Sequence, residues 1–300
     1  MKIIRNSIIA GLSLVMSVAA TSCQNQNNEF PDFEKGITVY FAHQYPSSIL
    51  VFGDWPDGDN SMALQHKCQI LATQSGAYKS KDNIRIEVAV DPTLVENLTF
   101  PDGSPVKVMP ESYYSLESTT LTKKKDYLFG TDVNLTDAFF ADPESVKDSY
   151  VIPLRIVGQT GADHILTGTP NNPEAQPALT DAEEWYKQPQ NFILYCVKYV
   201  NPWHASYLRR GVDKITENGV TTTQERKAEF VEKDEVVFLS TKSMSELVFP
   251  VSTVVPDGES LKTLTCDLIL KFDGDNVSIS SGTPEMTASG TGKFVKNGEK

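Results

Sequence analysis

The residue types that commonly carry catalysis occur in this chain, but they are not grouped by sequence spacing. The four histidines, His43, His66, His164 and His204, stand singly, and neither the zinc-protease pattern HExxH nor the nucleophile pattern GxSxG occurs. A triad or a metal cluster would therefore need long-range convergence of these side chains. We predict no catalytic residue, although the 39 acidic residues leave a carboxylate pair for glycoside hydrolysis open.

One short acidic loop brings together several potential metal ligands. It runs from Gly53 to Asn60 and contains Asp54, Asp57 and Asp59. Carboxylate and amide oxygens at this density are typical of calcium loops. The same residue types are also typical of tight turns, so we predict neither a metal nor a cofactor.

Aromatic side chains in the connecting segments offer a different chemistry, the binding of sugars. The apolar C–H face of a sugar ring stacks on an aromatic plane, while nearby Asp, Asn or Arg side chains bind the hydroxyls. The candidate ligand-binding residues are Trp55, Trp185, Tyr186, Trp203, Tyr207 and Arg209. The aromatic residues among them also fit the end of a hydrophobic core or a domain interface.

The N-terminus has the organisation of a lipoprotein export signal. Lys2 and Arg5 precede the apolar run 8–20, which is too short to span a bilayer as a permanent anchor. The small residues at 20–22 directly precede Cys23, as they do in a lipobox, where cleavage leaves a cysteine that carries diacylglycerol. An ordinary cleaved signal is the alternative. We predict that lipidated Cys23 anchors the protein in the outer membrane of a Gram-negative envelope.

Overall charge and cysteine usage exclude several classes of protein. The formal net charge is −12, which argues against nucleic acid and anionic lipid headgroups as partners. Cys68, Cys196 and Cys266 are far apart and lack CxxC spacing. They fit buried small hydrophobic residues better than a disulfide framework or a zinc site.

Most of the remaining chain has the pattern of an all-β protein. From residue 37 onward, apolar and polar residues alternate with a period of two between clusters of Gly, Pro, Asn and Asp. Each such strand has one apolar face, so two sheets must stack to hide these faces. About seven strands over 37–158 predict an immunoglobulin-like β-sandwich. Successive hairpins from 192 onward, one with a turn at 273–276, predict a lipocalin-like antiparallel β-barrel.

These patterns divide the chain into five segments. Residues 159–191 are rich in Gly and Pro and predict a linker or a long loop. Asn297 and Gly298 are typical of a hairpin turn, which a further strand should follow, yet they lie near the end of the sequence. We therefore expect that the given sequence stops before the final strand of the barrel. The predicted segments are a signal peptide (1–22), a flexible tether (23–36), the sandwich (37–158), the linker or loop (159–191) and the barrel (192–300).

Several motifs of this sequence resemble one family of Bacteroidetes surface lipoproteins. The segment Asn201–Gly211 is the most specific, and Val39–Phe41, Gln44–Pro46, Tyr150–Ile156 and Gly290–Val295 match as well. The resemblance is to proteins with an N-terminal DUF1735 and a C-terminal DUF4361 domain, both of unknown function, and it covers nearly the whole mature chain. It implies a protein encoded beside an outer-membrane polysaccharide importer, and it carries over no catalytic residues.

The sequence and the resemblance together favour a surface-exposed lipoprotein that binds glycan without catalysis. Its expected partners are an oligo- or polysaccharide, outer-membrane lipid through acylated Cys23, and a transporter complex. Two alternatives stay open. One is a glycoside or ester hydrolase, and the other is a purely structural lipoprotein associated with the transporter.

Overall fold

The computed structural model describes residues 31–55, 58–217, 219–257 and 260–296. The predicted signal peptide, Cys23, Asp57 and the Asn297–Gly298 turn lie outside these residues. The predicted all-β class is confirmed, because the described part contains one short α-helix, α1 (Asp137–Ala141), beside the strands. No helix in the described ranges has the length and hydropathy to cross a membrane.

The strands follow one another along the chain in two groups. Those of the first half are β1 (Thr38–Tyr40), β2 (Ser47–Val51), β3 (Lys67–Ser75), β4 (Arg85–Val90), β5 (Lys107–Val108), β6 (Tyr114–Leu116), β7 (Thr120–Lys125), β8 (Leu128–Leu135), β9 (Tyr150–Thr160) and β10 (His164–Ile165). Those of the second half are β11 (Thr169–Pro170), β12 (Trp185–Lys187), β13 (Phe192–Val200), β14 (Ala205–Arg209), β15 (Gly211–Glu217), β16 (Val220–Arg226), β17 (Glu235–Ser243), β18 (Glu246–Asp257), β19 (Ser260–Asp273), β20 (Asn276–Ser281) and β21 (Ser289–Lys293).

The first unit is a sandwich whose two halves are joined by one strand. The strand order is β10-β1-β3-β8-β7-β4-β9-β13-β2, with β5 beside β9 and β6 beside β8. Strand β7 pairs with β8 at one end and with β4 at the other. Side chains from both halves meet in one core, where Ile70 and Val133 from one half and Ile86 and Leu154 from the other are fully buried. This core is the main source of hydrophobic stabilisation in the unit.

Strand β13 corrects the predicted boundary between the two domains. The prediction placed residue 192 at the start of the barrel, but β13 pairs antiparallel with β9 and parallel with β2 inside the sandwich. It spans Phe192–Val200 and is apolar on both faces because both faces are covered. The first unit therefore extends to Val200.

The segment 159–191 is an ordered loop of the sandwich and not a free linker. Its strand β10 pairs in parallel with β1, and Leu166 N donates to Val39 O at 3.1 Å. Further along, Leu179 packs against the outer face of β13 together with Leu98 and Phe100. The loop thus seals part of a surface that would otherwise expose apolar side chains.

The C-terminal unit is a curled, antiparallel sheet of six strands in the order β14-β17-β18-β19-β20-β21. Within the described residues its edge strands β14 and β21 are not paired with each other, so the sheet forms a half-barrel. Strands β15 and β16 make a separate hairpin. The predicted turn between β19 and β20 is confirmed, with Gly274 at φ 58°, a left-handed conformation that favours glycine.

The cysteines have the structural role that their spacing indicates. Cys68 and Cys196 are buried and Cys266 is partly buried, and all three are free thiols. Burial raises the pKa of the Cys68 thiol to about 12. At neutral pH this thiol is therefore protonated and behaves as a small hydrophobic group.

Candidate functional site

The candidate site lies where two parallel strands end side by side. Strands β2 and β13 run in parallel, so the residues that follow Val51 and Val200 leave the sheet at the same edge. Phe52 N donates to Val200 O at 3.1 Å. A Cβ on Gly53 would lie 2.9 Å from Pro202 O, so the two loops approach as closely as only glycine allows. This brings the loop of Trp55 to the junction with the C-terminal unit.

Trp55 forms one wall of an open cleft at this edge, which we call the Trp55 cleft. The indole is 47% exposed, and a Cβ on Gly58 would overlap the ring. One side of the ring therefore rests on the Gly58 backbone, which holds the aromatic plane in place. The cleft has a volume of about 540 Å³ and is lined by Phe52, Gly53, Asp54, Trp55, Asn60 and Leu64.

The polar side chains of the cleft are held by contacts to the protein. Asp54 pairs with Lys296 at 2.8 Å, which links the cleft to the segment after β21. Asn60 Nδ2 donates to Val51 O at 3.1 Å and to Gly53 O at 2.8 Å. Asn60 thus shapes the loop, while Asp54 and Lys296 are exposed at its rim.

Two of the residues considered for calcium, Asp54 and Asp59, serve this loop as rim and turn residues. Asp59 Oδ1 accepts a hydrogen bond from Ser61 N at 2.9 Å, and this bond lowers the pKa of Asp59. Asp57 lies outside the described residues. In the part of the chain that the structure describes, no group of three or more His, Cys, Asp or Glu side chains is placed to hold a metal ion.

Trp185 and Tyr186 lie elsewhere, on the short strand β12 of the ordered loop. Trp185 is partly buried, and its Nε1 donates to Ala178 O at 2.9 Å. Tyr186 is 75% exposed. Neither side chain lines the Trp55 cleft, so the structure does not bring these predicted residues together with Trp55.

Trp203 packs against the core of the C-terminal unit, and Tyr207 is partly buried beside it. The Trp203 indole stacks on Phe272 with ring centroids 4.0 Å apart and an interplanar angle of 14°. Tyr207 Oη donates to Trp203 O at 2.7 Å. These contacts correspond to the core alternative that the sequence left open for Trp203.

Arg209 is engaged in an ion-pair network at the base of the β15–β16 hairpin. Its guanidinium lies 3.4 Å from Asp213 and 3.5 Å from Glu235, and it also lies over the Phe249 ring at 5.6 Å. Arg226 pairs with the same two carboxylates. Its contacts therefore hold the hairpin against the sheet.

Asn201 is a junction residue that the sequence analysis named only as the first residue of a family motif, without a structural role. It is 1% exposed, and its Nδ2 donates to Ser243 O at 2.9 Å and to Glu246 O at 3.0 Å. Its backbone N donates to Thr241 Oγ1 at 3.0 Å, and its Oδ1 accepts from Trp203 N at 3.1 Å. A polar residue directly after the doubly buried strand β13 and before Pro202 is the signal that would have identified it. Asn201 fixes the first residues after the sandwich onto the second sheet.

The fold and the cleft define a class: an all-β protein of two units, with a sandwich followed by a half-barrel and an aromatic cleft at their junction. A family model for DUF5627, a domain of unknown function, matches residues 202–300, and a model described as an N-terminal domain matches residues 33–163. The C-terminal match is thus to DUF5627, and a match to DUF4361 is not shown. No curated protein matches the chain.

A solved relative shows the family of this chain. The crystal structure of a Bacteroides ovatus protein of unknown function, from structural genomics, is 43% identical, with a TM-score of 0.82 over 90% of this chain and 84% of that chain. The protein belongs to the same family as this B. ovatus protein.

Two further solved structures are much more distant. A multidomain B. ovatus protein including DUF1735 is 13% identical, with a TM-score of 0.38 over 83% of this chain and 72% of that chain. An auxiliary nutrient binding protein from Bacteroides thetaiotaomicron is 11% identical, with a TM-score of 0.36 over 83% of this chain and 90% of that chain. Scores this low transfer neither a fold nor a function.

Proposed function

We propose that this protein is a surface-exposed, lipid-anchored accessory of an outer-membrane polysaccharide uptake system, and that it binds glycan without cleaving it. The observation that carries the proposal is the Trp55 cleft. A half-exposed indole, fixed by the Gly58 backbone, offers the flat apolar surface on which a sugar ring stacks.

The polar rim of the cleft supplies the second half of sugar recognition. Asp54 lines the cleft and can accept hydrogen bonds from hydroxyl groups, and Lys296, which pairs with Asp54, can donate to them; both side chains are largely exposed. The volume of about 540 Å³ lies within the usual range of ligand sites, roughly 300–1,000 Å³. The cleft is open on one side, which suits a segment of a longer chain.

Isothermal titration of the full chain against a panel of host and plant glycans tests this proposal. For a glycan that binds, we expect Trp55→Ala to weaken the affinity at least about tenfold, the equivalent of about 1.4 kcal/mol. Tyr186→Ala is the matched control, because it removes a more exposed aromatic residue outside the cleft. Flat heats for the whole panel, or equal affinities for the wild type and Trp55→Ala, would contradict the proposal.

Two assays separate this function from the alternatives. Incubation of the purified protein with the same glycans should release no reducing sugar, whereas a glycoside hydrolase would release it. Co-purification with an outer-membrane transporter without any sugar affinity would instead indicate a purely structural role.

The anchor is tested through Cys23, which lies outside the described residues. In cells fed a lipid precursor with a chemical tag, the wild type should carry the tag and Cys23→Ala should not. Protease treatment of intact cells should degrade the wild type if it faces outward. Survival of the protein in intact cells, with degradation only after lysis, would place it on the periplasmic side.

A further inference from the structure

A second cavity lies on the outer face of the sandwich, at the N-terminal end of β2 and away from the Trp55 cleft. Successive side chains of β13 point to opposite faces, so Tyr195 and Val197 enter the main core while Leu194 and Cys196 face outward. The outward side chains form the floor of a cavity of about 420 Å³. Its apolar walls are Tyr45, Pro46, Leu98, Phe100 and Val106.

The segment 98–106 covers the cavity, and hydrogen bonds within its own backbone hold it in place. The segment 98–106 folds back on itself, with Phe100 N donating to Ser104 O at 2.8 Å and Val106 N donating to Leu98 O at 3.0 Å. Leu98, Phe100 and Val106 pack against the apolar cluster of Leu194 and Cys196. The walls are thus built by hydrogen-bonded backbone, which is typical of preformed ligand sites.

One corner of this apolar cavity is polar and carries a carboxylate. Asp148 lines the cavity, pairs with Lys198 at 2.9 Å and accepts a hydrogen bond from Ser47 Oγ at 3.3 Å. Ser47 lies directly opposite Cys196 in the β2–β13 register, and the Cys196 thiol is 3.6 Å from the same carboxylate. Burial raises the pKa of Cys196 to about 11, so this group is a neutral thiol and not a nucleophile.

We propose that this cavity binds a small, uncharged aromatic molecule whose hydroxyl group donates a hydrogen bond to Asp148. The walls favour an apolar ring, and Tyr45 and Phe100 supply aromatic surface for it. An ionised carboxylate only accepts hydrogen bonds, so the ligand has to donate one. A ligand with its own negative charge would lose its hydration in this apolar cavity, while the positive charge that could compensate it, on Lys198, is already paired with Asp148. This site is separate from the Trp55 cleft and takes a different chemical class of ligand.

Three naphthalene derivatives with different polar groups test the proposal on the full chain at pH 7. We expect 2-naphthol to bind in isothermal titration, and 2-methoxynaphthalene, which has no donor, to bind about tenfold more weakly because a hydrogen bond to a charged acceptor is lost. The anion 2-naphthoate should bind more weakly than both. Equal affinities for the three compounds, or no binding of 2-naphthol, would overturn the proposal.

A pair of tryptophan substitutions locates the binding. Thr99 is exposed and lines the cavity, so Thr99→Trp should fill it and abolish the binding of 2-naphthol. Thr287→Trp is the matched control, because Thr287 is exposed in the loop between β20 and β21. Loss of binding in both variants, or in neither, would contradict the assignment, provided that thermal unfolding shows both to be folded.

Asp148→Asn tests the role of the charge without filling the cavity. The amide oxygen still accepts a hydrogen bond from 2-naphthol, but Lys198 loses its carboxylate partner and can pair with 2-naphthoate instead. We therefore expect the preference for 2-naphthol over 2-naphthoate to shrink severalfold. An unchanged preference would show that Asp148 does not face the bound ligand. This measurement tests the proposal even if Thr99→Trp fails to fold.

Discussion

The sandwich and the half-barrel bury their apolar side chains to very different degrees. The sandwich closes two halves over a continuous core, in which residues such as Ile70, Phe129 and Tyr199 have no exposed surface. In the half-barrel the buried hydrophobic cluster of the described residues consists of Leu247, Phe272 and Val277. Because burial of apolar surface is the dominant stabilising term, the sandwich should be the more stable unit.

This difference also explains where the two proposed sites lie. The second cavity has its floor on β13, and the Trp55 cleft is formed by the loop that directly follows β2; the sandwich core holds both strands from one face. A ligand site needs walls that keep their positions, and rigid strands supply them better than a sheet with a small core. The half-barrel contributes Lys296 to the rim of the Trp55 cleft but none of its walls.

The largest expected effect comes from the centre of the sandwich. Tyr199 is fully buried, its ring lies 5.3 Å from that of Phe140, and its hydroxyl donates to Phe140 O at 3.0 Å. Tyr199→Ala should lower the free energy of unfolding by about 3–5 kcal/mol in urea titrations. Tyr186→Ala, on the surface, should change it by less than about 0.5 kcal/mol. Similar losses of unfolding free energy in the two variants would contradict the claim that the buried core is the main source of stability in the sandwich.

The next largest effect is expected in the small core of the half-barrel. Phe272→Ala removes the ring that stacks on Trp203, at a cost of about 3 kcal/mol, the lower end for such substitutions. We expect the half-barrel to unfold first, seen as a change in Trp203 fluorescence, while hydrogen exchange still protects the amides of β9 and β13. Simultaneous loss of both signals would show that the two units unfold as one.

A smaller effect is expected at the junction. Asn201→Ala leaves Ser243 O and Glu246 O without their buried donor, which costs about 1–3 kcal/mol. The unfolding transitions of the two units should move further apart, because this side chain connects them. Thr287→Ala is the control and should leave both transitions in place. An unchanged urea profile in Asn201→Ala would show that the junction is held by other contacts.

An acid-dependent effect is expected in the sandwich. Burial alone would raise the pKa of Asp142, but hydrogen bonds from Tyr150, Glu144 N and Tyr113 outweigh it, so the pKa is lowered from 3.8. A depressed pKa means that the stabilisation is present above about pH 4 and is lost as the pH falls through the lower folded value. Asp142→Asn should therefore flatten the loss of stability between pH 4 and more acidic values. An identical acid profile in the wild type and the variant would contradict this.

The smallest effect is expected for the exposed ion pair between the units. Asp54 and Lys296 are 72% and 64% exposed, so Lys296→Gln should change the free energy of unfolding by less than about 0.5 kcal/mol. Glycan affinity in the same variant sharpens the comparison, because Lys296 is the contribution of the half-barrel to the Trp55 cleft. A large loss of stability would show that the pair, and not Asn201, joins the units.

Local sequence pattern predicted much of the secondary structure. The predicted turn at 273–276 joins β19 and β20 in the structure, because period-two alternation and turn residues act locally. The candidate site was predicted in part. Trp55 lines a cleft, but Trp203 serves a core, and a loop pattern cannot distinguish these roles.

The sequence by itself determined the all-β class and the alternating faces of each strand, since both follow from the two-residue period of an extended chain. Only the tertiary structure decided that β13 pairs with β2 and β9 and not with the half-barrel strands. Backbone hydrogen bonds are the same for every partner strand, so the choice depends on which distant apolar faces must be covered. That choice placed Trp55 at the junction and built the second cavity over Leu194 and Cys196.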